Sequence, residues 1–171
     1  MPRNASLATR LKLFGTALSV VCTMAAQPAS AQTVIVVRHG AKLDASADPV
    51  LSPEGQAQAL RLANMLATVN IRAIYTTQYK RTMLQAAPTA KRLGLTPVTI
   101  PGKDTDTLIA KIRAHGKDEV VLVVGHSNTV PEILKGLGHP VSVMVREEDF
   151  DNLFIVTMRA SGPPTVLNLK Y

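Results

Sequence analysis

The sequence predicts an α/β protein: a three-layer αβα sandwich with a mainly parallel central sheet and an antiparallel edge. Three observations lead there. Strand-like and helix-like segments alternate from Thr33 to Leu137, which builds parallel sheets covered by helices. Val34–Val37 and Val120–Val124 are unbroken runs of branched apolar residues, as expected of strands buried on both faces. Leu153–Met158 and Thr165–Leu169 flank Ser161-Gly162-Pro163-Pro164 and read as a terminal hairpin.

The first 31 residues are not domain material. Arg3, Arg10 and Lys12 form a basic leader without acids, Thr16–Ala26 is a short apolar run, and Ala29-Ser30-Ala31 is a small-x-small site. This is the layout of a secretory signal peptide with cleavage before Gln32, and the expected destination is the periplasm or the exterior. The apolar run is too short for a stable bilayer span, so no membrane span is expected after cleavage. An uncleaved anchor is the alternative. Cys22 follows Val20-Val21, where a lipoprotein site would want a small residue.

The expected domain, residues 32–171, holds 140 of the 171 residues, enough for one modest core. Cleavage removes three cations and no acid, taking the net charge from +7 to +4. No run of five like charges occurs, so nucleic-acid binding gains no support. The single cysteine lies in the leader. The exported domain would have no disulfide, and a structural zinc site would lack its usual ligands.

Taken in order, Thr33–Arg38 is the first strand. Ala41–Val50, with Asp44, Ser46, Asp48 and Pro49, is a loop. Ser52-Pro53-Glu54 opens a helix with a cap, a proline at the first helical position and an acid for the helix dipole. Ala59, Leu62, Ala63 and Leu66 give it a buried face, and Asn70 is expected to end it. Arg72–Thr76 is a second strand. The helix beginning at Arg81 has Met83, Ala86, Ala87 and Ala90 as its expected inward stripe, a kink or break at Pro88, and Gly94 as its end. Pro97–Ile100 is a short strand. A helix from Thr105 or Asp106 turns Leu108, Ile109 and Ile112 inward and ends near Gly116. Glu119–Val124 is the second core strand. The helix after Ser127 carries Val130, Ile133, Leu134 and Leu137 at helical spacing, with Pro131 in its first turn. Arg146-Glu147-Glu148-Asp149 reads as solvated surface.

Both core strands run into a histidine: Arg38-His39-Gly40 after the first, Gly125-His126-Ser127-Asn128 after the second. In open α/β sheets, ligands sit beyond the carboxyl ends of the strands. A lone histidine there is more simply a structural residue. Here Arg38 offers a planar fork suited to phosphate oxygens, Gly40 permits close backbone approach, and His126 repeats the arrangement. Arg81 is a cation at a helix start, an unfavourable place unless it faces an anion. Ser127 and Asn128 suit either helix capping or phosphate contact, with capping preferred. Lys42 is either a substrate contact or a solvated loop lysine.

With Leu51-Ser52-Pro53-Glu54-Gly55 and Arg81-Thr82 between the two histidine motifs, the ordered set resembles the histidine phosphatase (phosphoglycerate mutase-like) superfamily, in its short phosphatase branch. The resemblance spans nearly the whole of residues 32–171. It implies a phosphoglycerate mutase-like fold and a phosphoric monoester hydrolase in which His39 forms a phosphohistidine intermediate that water hydrolyses. Arg38, Arg81 and His126 would surround the phosphoryl oxygens, and Gly40, Lys42, Ser127 and Asn128 would contact substrate. A histidine nucleophile splits hydrolysis into two easier displacements, and fixed cations stabilise charge spread over the equatorial oxygens. Two guanidinium groups and a second imidazole supply that charge, so no metal or other cofactor is expected.

The general acid is the open position. The resemblance leads to a glutamate after the second arginine helix, where this sequence has only Asp104 and Asp106. Glu132, after the second histidine motif, is the third candidate, and Asp106 also looks like a helix cap. The leading expectation is an exported phosphatase acting on a small phosphorylated molecule or a cell-envelope phosphate. The alternatives are a phosphohistidine protein phosphatase, whose branch resembles this chain in length and in lacking the glutamate, and a non-catalytic envelope phosphate-binding protein.

Overall fold

A computed structural model describes residues 31–171. All but Ala31 of the expected signal peptide lies outside the described residues. Ten elements follow in order: β1 (Thr33–Arg38), α1 (Pro53–Met65), β2 (Ile71–Thr76), α2 (Lys80–Leu93), β3 (Val98–Thr99), α3 (Thr105–Arg113), β4 (Val120–Gly125), α4 (Thr129–Gly136), β5 (Asn152–Thr157) and β6 (Thr165–Lys170). The strands form one sheet in the order β3-β2-β4-β1-β5-β6. The pairs β3–β2, β2–β4 and β4–β1 are parallel, while β5 and β6 complete an antiparallel edge.

The two faces of the sheet are buried separately. On one, Val34, Val36, Val121 and Val123 pack with Leu108, Ile109 and Ile112 of α3 and Val130, Ile133 and Leu134 of α4. On the other, Ile35, Val37, Leu122 and Val124 pack with Leu62 and Leu66 from α1 and its C-cap and with Ala86 and Ala90 of α2. Alternate residues of β1 and β4 therefore feed opposite cores, which is why both strands read as continuous apolar runs.

Helix ends follow local chemistry. Ser52 caps α1 by accepting from the Gly55 amide, with Pro53 at the start. The helix stops at Met65 with Leu66 as its C-cap, short of the expected end at Asn70. Gly94, at φ 65°, closes α2, a conformation that costs glycine little. Helix α3 starts at Thr105, one of its two expected starts, and Asp104 rather than Asp106 caps it through the Thr107 amide. That helix ends at Arg113 rather than near Gly116.

Helix α2 departs from expectation in two ways. It runs through Pro88 as one element. The carbonyl that loses its partner there belongs to Leu84, an exposed residue. Its buried face is also rotated: Thr82, Gln85, Ala86, Thr89 and Ala90 are inside, whereas Met83 and Ala87 are exposed. Hydrogen bonds explain the polar face. Gln85 accepts from the Gly40 amide and donates to the Tyr171 hydroxyl, and the Thr82 hydroxyl lies against the Tyr79 and Thr77 carbonyls.

Candidate active site

The register of β1 against β4 sets the site. Arg38 lies opposite Gly125, so the residues that follow, His39 and His126, leave adjacent strands at the same level. The His39 amide donates to the Gly125 carbonyl at 3.0 Å. The imidazole centroids are 5.2 Å apart with the rings at 66°. From the next strand over, β2, the chain continues through Thr77 and Tyr79 into α2, bringing Arg81 to the same end of the sheet. His39, Lys42, Arg81, His126, Ser127 and Glu147 are among the residues that wall an open cleft of about 590 Å³.

The loop that carries His39 is clamped from below. The Ala41 amide donates to Gln58 of α1, and the Ser52 amide to the Ala41 carbonyl. A Cβ on Gly55 would sit 2.2 Å from that carbonyl, so the first turn of α1 can abut this loop only through a glycine. A Cβ on Gly40 would lie 2.8 to 2.9 Å from Gln58, Gln85 and the Gly55 carbonyl. Gly40 therefore fits beneath the site against its own chain. It is absent from the cleft wall, a difference from the substrate contact expected for it.

Two contacts fix the tautomer of His39. Nδ1 lies 2.8 Å from the Gly40 carbonyl, which only accepts, so Nδ1 holds the proton. The Arg81 Nε–H, which only donates, points at Nε2 from 3.2 Å. Nε2 thus presents a lone pair to the cleft. Burial drives the His39 pKa down to about 3, opposed by the Gly40 hydrogen bond and helped by His126 and by the Arg38 and Arg81 charges. At neutral pH the ring is uncharged.

His126 is also held neutral. Burial first, then Arg81 and Arg38, lowers its pKa to about 4. Its ring is therefore uncharged at neutral pH. Its Nε2 shares a 2.9 Å hydrogen bond with the Thr77 hydroxyl, which also lies 3.0 Å from Thr82 Oγ1. The Tyr79 ring meets it edge-on at 5.3 Å.

The two arginines are placed differently. Arg81 lines the cleft, stacks its guanidinium over Tyr79 at 4.3 Å and lies 3.8 Å from Asp48. The Tyr79 side chain does not cap α2; the Asp48 carboxylate beside Arg81 accepts from the Lys80 amide at 2.9 Å and offsets part of the positive potential that the helix dipole and Arg81 bring to this point. Arg38 is 1% exposed and outside the cleft wall. Its guanidinium turns into the 146–150 segment, donating to the Arg146 carbonyl at 2.7 Å and to Glu147 at 2.9 Å, with the Phe150 ring at 4.2 Å. Burial pulls its pKa below the ordinary value, opposed by Glu147.

Of the expected acids, only Glu132 reaches the cleft, where it accepts from the Thr105 hydroxyl. Asp104 is spent as a helix cap, and Asp106 sits in the first turn of α3 away from the cleft. Lys42, Ser127 and Asn128 line the cleft. Asn128 occupies the cap position of α4 without capping it, and Ser127 donates to Glu147. Asn128 thus does not make the capping bond preferred for it; the Thr129 hydroxyl accepts from the His126 amide and braces the turn into α4.

Glu147 is the cleft residue that the sequence reading left on the surface. It lies in an irregular segment, where no periodicity marks which side chain turns inward. The run of four charges around it gave no signal beyond exposure. Lys103, Gln78 and Tyr79 complete much of the wall.

Residues 34–102 match the sequence model of the histidine phosphatase superfamily, branch 1. The fold and the paired histidines agree with that match. Among solved structures, the protein histidine phosphatase SixA complexed with tungstate is 22% identical, with a TM-score of 0.66 over 81% of this chain and 96% of that one. The mycobacterial glucosyl-3-phosphoglycerate phosphatase is 14% identical, with a TM-score of 0.59 over 74% and 90%. The phosphoserine phosphatase of Entamoeba histolytica, solved with 3-phosphoglyceric acid, is 15% identical, with a TM-score of 0.61 over 82% and 97%. At these identities the likeness is one of fold. No curated protein matches the sequence.

Proposed function

We propose that the protein is an exported phosphatase that hydrolyses small phosphomonoesters through a phosphohistidine on His39. The observation that carries this reading is the orientation of His39. Its proton is committed to the Gly40 carbonyl, and its Nε2 lone pair faces a guanidinium across 3.2 Å. A phosphoryl group entering between them meets a nucleophile and a cation together. Nε2 attacks phosphorus as the ester P–O bond breaks, and Arg81 and the start of α2 stabilise the equatorial oxygens. Water then attacks phosphorus, the N–P bond breaks, and orthophosphate leaves.

Glu132 is the cleft carboxyl among the expected acids and the proposed proton donor to the leaving oxygen. The scarcity of other donors favours a second reading, a phosphohistidine protein phosphatase, since that leaving group departs without strong acid help. Export rests on the basic leader, apolar run and Ala29-Ser30-Ala31 site. A non-catalytic phosphate-binding protein would have no use for a histidine held in the nucleophilic tautomer.

The test is incubation of residues 32–171 with phosphomonoesters and phosphoramidates, followed by alkaline quenching and a search for acid-labile phosphate on His39. Labelling that disappears in His39→Ala supports the mechanism, and turnover retained by that variant removes it. Binding of phosphate with neither turnover nor label would establish the non-catalytic reading. Faster turnover of phosphoramidates than of alkyl phosphates would favour the second. Mass spectrometry of the exported protein should give an N-terminus at Gln32.

A further inference from the structure

We infer that Glu147 is a tethered competitor for the phosphate position: its carboxylate occupies a place on Arg38 and Ser127 that a phosphoryl group takes from it, and to which it returns as the product leaves. The inference rests on the phosphatase reading above.

One carboxylate oxygen of Glu147 accepts from Arg38 Nη2 at 2.9 Å, and the other accepts from the Ser127 hydroxyl. Both Glu147 and Ser127 belong to the cleft wall that holds His39, Arg81 and His126. An anion gripped by a guanidinium and a hydroxyl beside the nucleophile sits where an oxyanion of the substrate would be bound.

Arg38 does not depend on Glu147 for its placement. The Arg146 carbonyl at 2.7 Å and the Phe150 ring at 4.2 Å hold the guanidinium from elsewhere, and neither residue lines the cleft. The Arg38–Glu147 bond is thus the tie that faces the substrate. The Arg38 Nε is buried without a partner, so the arginine has hydrogen-bonding capacity beyond what the protein uses.

Glu147 is also free to leave. Its side chain is 71% exposed, and it sits in an irregular segment between α4 and β5. Swinging out exchanges its two bonds, from Arg38 and from Ser127, for bonds to water. A phosphoryl dianion offers three oxygens and twice the charge to the same donors, so it outcompetes a single carboxylate. Orthophosphate bound to the same cations would otherwise be slow to depart. A carboxylate attached to the chain competes at high effective concentration and lowers the affinity of the product.

The experiment compares orthophosphate binding by calorimetry in the wild-type protein, Glu147→Gln and Glu147→Asp, together with orthophosphate inhibition of p-nitrophenyl phosphate turnover. Removing the charge should tighten orthophosphate binding and product inhibition about tenfold, with Glu147→Asp remaining close to wild type. If Glu147 merely braced Arg38, its loss would weaken binding, the opposite sign. Unchanged or weaker binding in Glu147→Gln, with His39 still labelled by substrate, overturns the competitor role and leaves the phosphatase reading standing. Absence of both orthophosphate binding and His39 labelling in all three proteins overturns both.

Discussion

Arg81 and His39 meet nitrogen to nitrogen, the Arg81 Nε–H directed at the unprotonated Nε2 of the imidazole at 3.2 Å. The contact joins residues 42 positions apart in the chain. It also depends on the stack of Arg81 over Tyr79, which sets the plane of the guanidinium. An ammonium group carries the same charge without that plane or that donor.

Arg81→Lys should therefore lower kcat/KM by a factor on the order of 100 while leaving the fold intact. Steady-state kinetics on a phosphomonoester, with circular dichroism as the control, makes the check. Wild-type kcat/KM in this variant would mean the contact is incidental to catalysis.

Acid should destabilise the protein through its two site histidines. Both are held neutral in the fold, with pKa values of about 3 for His39 and about 4 for His126, against 6.5 ordinarily. Below about pH 6.5 the unfolded chain takes up protons at these rings that the folded chain refuses, so protonation favours unfolding. Their contribution is present in full above pH 6.5 and is lost progressively as pH falls through about 4 and then about 3. Urea denaturation at pH 7 and pH 4.5 should show a smaller loss of stability in His39→Asn than in the wild type. Equal losses would contradict the burial effect.

Gly55→Ala tests the clamp beneath His39. The added methyl would meet the Ala41 carbonyl at 2.2 Å, and backbone rather than a flexible side chain must yield. A destabilisation on the order of 2 kcal/mol is expected, with a fall in kcat because the same loop orients His39. Denaturant titration and kinetics on one preparation would record both effects.

Asp104→Ala separates a helix cap from an acid. The carboxylate accepts from the Thr107 amide at 3.2 Å, and losing it should cost about 1 kcal/mol of stability. The kcat and its pH profile should not move. Glu132→Gln, by contrast, should depress kcat for alkyl phosphates more than for aryl phosphates, whose leaving groups need less protonation. The ratio of the two rates is the measurement.

The elements built on apolar rhythm were legible in the sequence, and so was the convergence of His39, Arg81 and His126. Continuous branched runs place β1 and β4 at the centre, and strand ends are where a sheet exposes side chains to ligands. The buried face of α2 was not legible, because Thr82, Gln85 and Thr89 are inside for their hydrogen bonds and periodicity counts only apolar residues. Asp104 and Asp106 look alike in sequence, and only the backbone at Asp104 brings its oxygen to the Thr107 amide. The inward turn of Arg38 and the arrival of Glu147 depend on how an irregular segment folds back, 109 positions from Arg38. No local pattern encodes that return.

The pairing of Arg38 with Gly125 across β1 and β4 has a thermal consequence. These strands lie in the middle of the sheet, and Val36, Val37, Val123 and Val124 are shielded from solvent almost completely. Their amides should be among the slowest in the protein to exchange with deuterium, because central ladders open only with the whole molecule. The backbone that carries His39 then belongs to the last unit to melt, and warming should erode the cleft's irregular rim before it separates the two imidazoles.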